Sequence, residues 1–339
     1  MKIVALGDVF LGGDLFYKDD DWDILSKGII DIFEKADLRI ANLEGPLISD
    51  FSKKNIPMPN KLLQGCPEEM VKWLTKYNIN YVSLANNHMF DYGKKGLNNT
   101  IKILQDNNIK YSGAGNDMSE ARKPAIFNLE NKKISIHSYT EYNKPYLKQI
   151  VPATENTYGV MPLDLKLMEE DINKFKSDIN IVFIHWGREH MYYPHPEEQV
   201  KIGKKIIDLG FDVVLGSHAH YPQRLDYYKN KPVVYSMGNF LFPNFYYTSP
   251  AQIIYFKEKP LESDMKDTTY DLPGRVNKTI YKKWSKENRQ SLLCEINVID
   301  KNIKINKVYC LQNEKEPFIK EMEEDKSIEL YNILNKDIN

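Results

Sequence analysis

VVLGSHAHYP, residues 213–222, decides how the rest of the chain is read. Its apolar run stops at Gly216, and His218 and His220 follow two residues apart. A short β-rich run that ends in ligand-type side chains reads as a buried strand whose carboxyl end opens on a site. Four more stretches have the same form. KIVALG (2–7) delivers Asp8, and LRIANLE (38–44) delivers Asn42 and Glu44. INYVSLA (79–85) leads into Asn86, Asn87 and His88, and INIVFIH (179–185) ends on His185. Helical patterns fill the intervals at 22–36, 67–77, 93–107, 164–177 and 196–209. Such alternation predicts a largely parallel sheet covered by helices.

Further along, the texture changes. Residues 125–139, 224–237 and 292–311 read as hairpins, the first turning at Asn131-Lys132. Antiparallel strands are therefore expected beside the parallel ones. Residues 257–289 are charged, carry two prolines and show little periodicity, which predicts an insertion or flap. Residues 315–335 predict a terminal helix. The expected organisation is a core over 1–250, with 251–339 completing the same domain.

Composition excludes several classes. The net charge of −1 over 339 residues provides no field for nucleic acid. No apolar run approaches the ~20 residues of a membrane span. The chain as written is expected to be soluble and cytoplasmic, without an integral membrane segment. Its three cysteines, Cys66, Cys294 and Cys310, are widely spaced and form no C-x-x-C. That pattern fits a reducing compartment and excludes a cysteine metal knuckle.

Oxygen and nitrogen donors without thiolate suit Mn, Fe, Zn, Co or Ni. The set is large enough for two divalent ions sharing a carboxylate. Two ions roughly 3.5–4 Å apart are a common apparatus for displacement at phosphorus.

Seven stretches carry a resemblance: GDVFLGG, ANLEGPL, SLANNHMFDYG, SGAGNDMSEARKPAIF, HWGREH, GSHAHYPQ and SMGNFLF. In this order they resemble CapA-type proteins, the capsule or poly-γ-glutamate synthesis branch of the calcineurin-like metallophosphoesterases. The resemblance covers roughly residues 2–245. It implies a four-layer α/β/β/α sandwich with a metal site at its edge. It also implies that Asp8, a bridging Glu44 and His220 hold one ion, and that Asn87, His185 and His218 hold the other with Glu44. His218 and His220 would then face different ions, as alternate residues of an extended turn. His88 matches the histidine that protonates the leaving oxygen. The first motif departs from the superfamily's Asp-x-His, because its third position is Phe10. The ion on that side is thus short of one imidazole, to be completed by Asn42 or water.

The remaining candidates have two readings each. Asp91 either orients His88 or caps the helix that follows. Asn239 either donates to a phosphoryl oxygen or holds a turn. Arg122 and Arg188 either clamp an anion or lie on the surface. Glu189 beside a phosphate site repels substrate unless it meets a cation, a metal or a sugar hydroxyl. Lys53, Lys54 and Lys61 read as a solvated face, His190 and His195 as rim residues, and His137 as structural. Two functions remain open. One is a metal-dependent hydrolase of phosphate mono- or diesters. The other is a capsule or poly-γ-glutamate factor that binds or cleaves an anionic polymer without phosphoesterase activity. The expected partner is thus a small molecule or polymer bearing phosphate or carboxylate groups.

Overall fold

Alternate residues of the first strand face opposite layers, as a strand buried on both sides requires. A computed structural model describes residues 1–51, 61–142, 144, 150–248, 252–260, 279–300 and 302–336. Its N-terminal part contains β1 (Lys2–Val9), α1 (Lys27–Glu34), β2 (Leu38–Leu43), β3 (Tyr81–Ser83), α2 (Gly93–Asp106) and β4 (Lys110–Ser112). A hairpin of β5 (Ala125–Leu129) and β6 (Lys132–Thr140) follows. Then come α3 (Leu165–Lys174), β7 (Ile179–His185), α4 (Lys201–Asp208) and β8 (Val213–Ser217). The second hairpin is β9 (Leu225–Tyr228) with β10 (Lys231–Val234), and β11 (Asn239–Leu241) follows it. The chain closes through β12 (Gln290–Ile299), β13 (Asn302–Gln312), β14 (Ile319–Glu321) and α5 (Glu324–Leu334).

Two sheets result. One has the order β14-β13-β12-β1-β2-β3-β4, with β11 also paired to β1, and the other has β9-β10-β8-β7-β6-β5. Val4 and Leu6 of β1 point outward and share a core with Ile29 and Phe33 of α1 and Leu97, Ile101 and Leu104 of α2. Ile3 and Ala5 point inward, against Ile136, Ile181, Phe183 and Leu215 of the second sheet. Val182, Ile184 and Val214 face the far side, under Met168 and Ile172 of α3 and Ile206 and Ile207 of α4. This is the expected α/β/β/α arrangement. Each buried Ile, Leu or Phe contributes about 1.5–3 kcal/mol toward holding the layers together. Cys66, Cys294 and Cys310 are all buried and unpaired. Among the described residues no helix is long and apolar enough to cross a membrane.

Local expectations shift in places. The first hairpin turns at Glu130-Asn131, both at positive φ, one residue earlier than expected. Two central residues at positive φ match the twist of the flanking strands. The helix expected at 22–36 starts only at Lys27, where the Ser26 hydroxyl accepts from Ile29 N at 3.3 Å. The expected terminal helix over 315–335 is a correction. Its first part is strand β14, paired antiparallel to β13, and helix begins only at Glu324. Pro317 disfavours helix before it, and Ile319, fully buried, exchanges backbone bonds with Ile24 and Ser26. The centre of the expected flap, 261–278, lies outside the described residues, as do Lys53 and Lys54.

His137 on β6 is structural, as read from the sequence. It is 1% exposed, and among the described residues neither ring nitrogen has a hydrogen-bond partner. Its ring packs edge-on to Phe211, with centroids 5.3 Å apart. Burial lowers its pKa to about 3. The unfolded chain protonates this imidazole near pH 6.5, whereas the folded chain resists until far lower pH. Between those values the unfolded state binds more protons, so stability falls as pH drops, by about 1.4 kcal/mol per unit. His137→Leu should therefore gain stability over the parent by about 2 kcal/mol more at pH 5 than at pH 8. Urea denaturation at both pH values measures this. An identical difference at the two would show that His137 does not titrate in this way.

Candidate metal centre

Strand register brings the donors together before any side chain is considered. β1 and β2 run parallel with Asp8 opposite Asn42, and β11 runs parallel on the other side with Asn239 opposite Asp8. In the second sheet, His185 at the end of β7 lies between Thr140 and Ser217. The close approach of β11 requires glycine at position 7. A Cβ there would stand 2.0 Å from Gly238 O, where Asp8 N donates at 2.9 Å. Beyond β8 the chain turns sharply, with His218 at φ +88° and His220 at φ +55°. These are left-handed residues, not the extended turn expected, and such conformations cost about 1–3 kcal/mol each. The bond from His218 N to Asp8 Oδ2, at 3.1 Å, ties this turn across to the first sheet.

Among the described residues two groups of donors form, each with its atoms within 4.8 Å of one another: Asp8, Glu44 and His185, and Glu189, His218 and His220. The division differs from the one the resemblance implies. His220 stands between the groups, with Nδ1 3.8 Å from Asp8 and Nε2 3.8 Å from Glu44. The His185 and His218 rings lie 4.5 Å apart. His185 Nε2 meets Asn87 Oδ1 at 2.8 Å, and Ser217 Oγ at 3.0 Å from Nδ1 can stabilise either tautomer.

The donor set fits a divalent cation. Asp8, Glu44 and His218 are completely buried. Both carboxyl oxygens of Glu44 and both ring nitrogens of His218 have no hydrogen-bond partner among the described residues. Burial pushes the carboxyls of Asp8 and Glu44 above their usual range, and for Glu44 the charge of Asp8 adds to the rise. Burial lowers His185, and lowers His218 to about 3, so both imidazoles are neutral with lone pairs available. Neutral histidines cannot balance buried carboxylates, and buried charge is tolerated only when paired or bound to metal. A mixed oxygen and imidazole set of this kind suits Mn, Fe or Zn.

Beside these donors, His88 is held differently. Its Nδ1 is 2.7 Å from Asp91 Oδ2, and its Nε2 is 3.1 Å from Gln64 Nε2 and 3.9 Å from Glu44. With Nδ1–H donating to Asp91, Nε2 is the atom turned toward the cluster. Asp91 also accepts from Gln64 N at 2.8 Å and pairs with Lys61 at 2.5 Å. It does not cap the following helix, whose N-cap is Tyr92 without a side-chain bond. Burial lowers the His88 pKa, and the Asp91 charge opposes that fall.

Other candidates occupy different places. Asn42, expected to complete an ion's shell, donates its Nδ2 to Asp8 Oδ1 at 2.8 Å and so steadies Asp8. Arg122 is a correction, because its guanidinium binds Asp171 at 2.6 Å and Glu170 at 2.9 Å on α3. Arg188 stays beside the cluster, half-exposed, 3.8 Å from Glu198. Asn239 Oδ1 meets His220 Nδ1 at 2.8 Å, which leaves its buried Nδ2 without a partner among the described residues. His190 lies at the rim with its ring 5.9 Å from His220, while His195 caps the turn into α4. Lys61, read as solvated, is instead mostly buried against Asp91 and Asn87 O. Gln64 and Ser217 escape a reading of the sequence, because neither belongs to a pattern with a chemical meaning of its own.

The bacterial capsule synthesis protein PGA_cap family matches residues 2–244. The chain is 27% identical over 251 residues to capsule biosynthesis protein CapA of Bacillus anthracis, covering 71% of this chain and 60% of that one. It is 28% identical over 243 residues to PGA biosynthesis protein CapA of Bacillus subtilis (strain 168), covering 70% and 62%. The chain thus spans 60% and 62% of the length of these two relatives. A hypothetical protein from Thermus thermophilus has a similar structure, with a TM-score of 0.50 at 12% identity, covering 91% of this chain and 98% of that one. At that identity the likeness is one of fold.

Protein purified without chelator should carry transition metal, and elemental mass spectrometry measures it. His218→Ala or Glu44→Gln should lower the content and abolish the rise in melting temperature that added Mn(II) gives the parent. Parent protein that neither contains nor responds to transition metal would contradict the assignment.

Proposed function

The chain belongs to the bacterial capsule synthesis protein PGA_cap family, and from that membership we propose that it is a metal-dependent hydrolase of phosphate mono- or diesters. The observation that carries this reading is the His88–Asp91 pair, 2.7 Å apart at the edge of the donor cluster. A histidine placed beside metal ligands, but oriented by a buried carboxylate, is arranged to move a proton.

Asp8, Glu44, Asn87, His185, His218 and His220 would hold the divalent ions, and the two groups of donors suit two of them. Bound there, the ions would polarise the phosphoryl group and lower the pKa of water. The chain's own residues do the rest. Asp91 accepts from Nδ1–H of His88 and stabilises its imidazolium form, so that the protonated Nε2 faces the reacting group and gives its proton to the departing oxygen. Lys61 pairs with Asp91 and limits the negative charge beneath the imidazole. Asn239 keeps His220 in one tautomer through Nδ1, and its amide N–H, without a partner among the described residues, can donate to a phosphoryl oxygen.

A second reading has the same centre bind or cleave a carboxylate-rich polymer. It is favoured by the names of the relatives, which refer to capsule and PGA biosynthesis. The metal-loaded protein assayed on p-nitrophenyl phosphate and bis(p-nitrophenyl) phosphate separates the two. We expect hydrolysis that falls about 10²–10⁴-fold in His88→Ala with metal content retained. Asp91→Asn should reproduce much of that loss. Inactivity on both esters, together with binding of polyglutamate, would favour the second reading.

A further inference from the structure

We propose that Glu189 is a metal ligand, and that with His218 and His220 it holds one ion of a pair. This rests on the reading of the cluster as a metal centre. The backbone places Glu189 there independently of its side chain. Trp186 N donates to Ser217 O at 3.3 Å, and His190 N donates to Ala219 O at 2.7 Å. Those bonds lay residues 186–190 alongside the turn that carries His218 and His220. Gly187 at φ +85° and His190 at φ +61° bend the strip between them. A carboxylate oxygen of Glu189 then falls within 4.8 Å of ligand nitrogens of both histidines. His218 is completely buried, and neither of its ring nitrogens has another partner among the described residues.

The chemistry of the position points the same way. Asp8 belongs to the other group of donors, with Glu44 and His185. Phe10 is buried and stacked on Phe242 with centroids 5.1 Å apart, so it belongs to the core and offers no donor. Glu189 as a substrate contact would set a third carboxylate, after Asp8 and Glu44, against an anionic group. As a ligand it supplies negative charge where a cation needs it. It also completes three protein donors beside an open position, the usual make-up of a catalytic metal site. Its exposure suits this role, since the ligand nearest solvent borders the position that substrate must reach.

The test is Mn(II) titration of the metal-stripped full chain, followed by electron paramagnetic resonance and elemental analysis. The wild type should bind two ions. Glu189→Gln should keep one and bind the other about a hundredfold more weakly, whereas Glu189→Asp should recover part of that affinity. His185→Ala, which disturbs the other group, should spare the ion that Glu189→Gln loses. Because Glu189 is half-exposed, the metal-free variants should melt with the metal-free parent, which checks the fold. Full affinity for every ion in Glu189→Gln overturns the inference while leaving the metal centre intact. Wild type that binds no Mn(II) overturns the metal centre itself, and the inference with it.

Discussion

Glu44 sits at the seam of two sheets with both carboxyl oxygens buried and unsatisfied among the described residues. A carboxylate in that place must be neutralised, and the surroundings are built around that requirement. Asp8 lies close enough to raise the Glu44 pKa further, and His220 and His88 each present Nε2 within 4 Å of it. Lys61, the ammonium near the cluster, is engaged with Asp91. A divalent cation bound among these donors would meet that requirement.

Placing such a group demands a rigid frame. Parallel strands buried on both faces supply one, because their carboxyl ends lie side by side in fixed register. Asp8, Asn42 and Asn239 are cross-strand neighbours, and so are His185 and Ser217. At the site itself the strained backbone lies in the turn beyond β8, where two histidines take left-handed conformations, and at His190 beside it. That turn is held by His218 N on Asp8 and by the strip carrying Glu189. Behind His220 stands an aromatic wall of Phe242 and Trp284, with ring centroids 5.4 and 5.9 Å away. Phe10 extends this wall, stacked on Phe242 with centroids 5.1 Å apart.

Two kinds of histidine share the site. His218 and His185 are deprotonated by burial and suited to ligation, whereas His88 is anchored through Nδ1 to a carboxylate. The difference comes from neighbours, since all three are buried. It supports a hydrolytic reading, in which holding cations and moving a proton fall to separate side chains.

Much of this was legible in the chain itself. Short β-rich apolar runs identified the strands, and polar clusters at their ends identified Asp8, Glu44, His88, His185, His218 and His220 as neighbours. Local sequence suffices there because strand geometry dictates which residues leave the core and where. What the chain could not convey depends on contacts between distant segments. Nothing local distinguishes Arg122 on α3 carboxylates from Arg122 on a substrate, or Lys61 beneath Asp91 from Lys61 in solvent. Strand β14 forms because β13 and the lead-in to α1 offer partners to Ile319, against the helical appearance of its neighbourhood. The division of the donors into two groups, with Glu189 among them, was decided by a left-handed turn tied both to Asp8 in the opposite sheet and to the strip beyond β7.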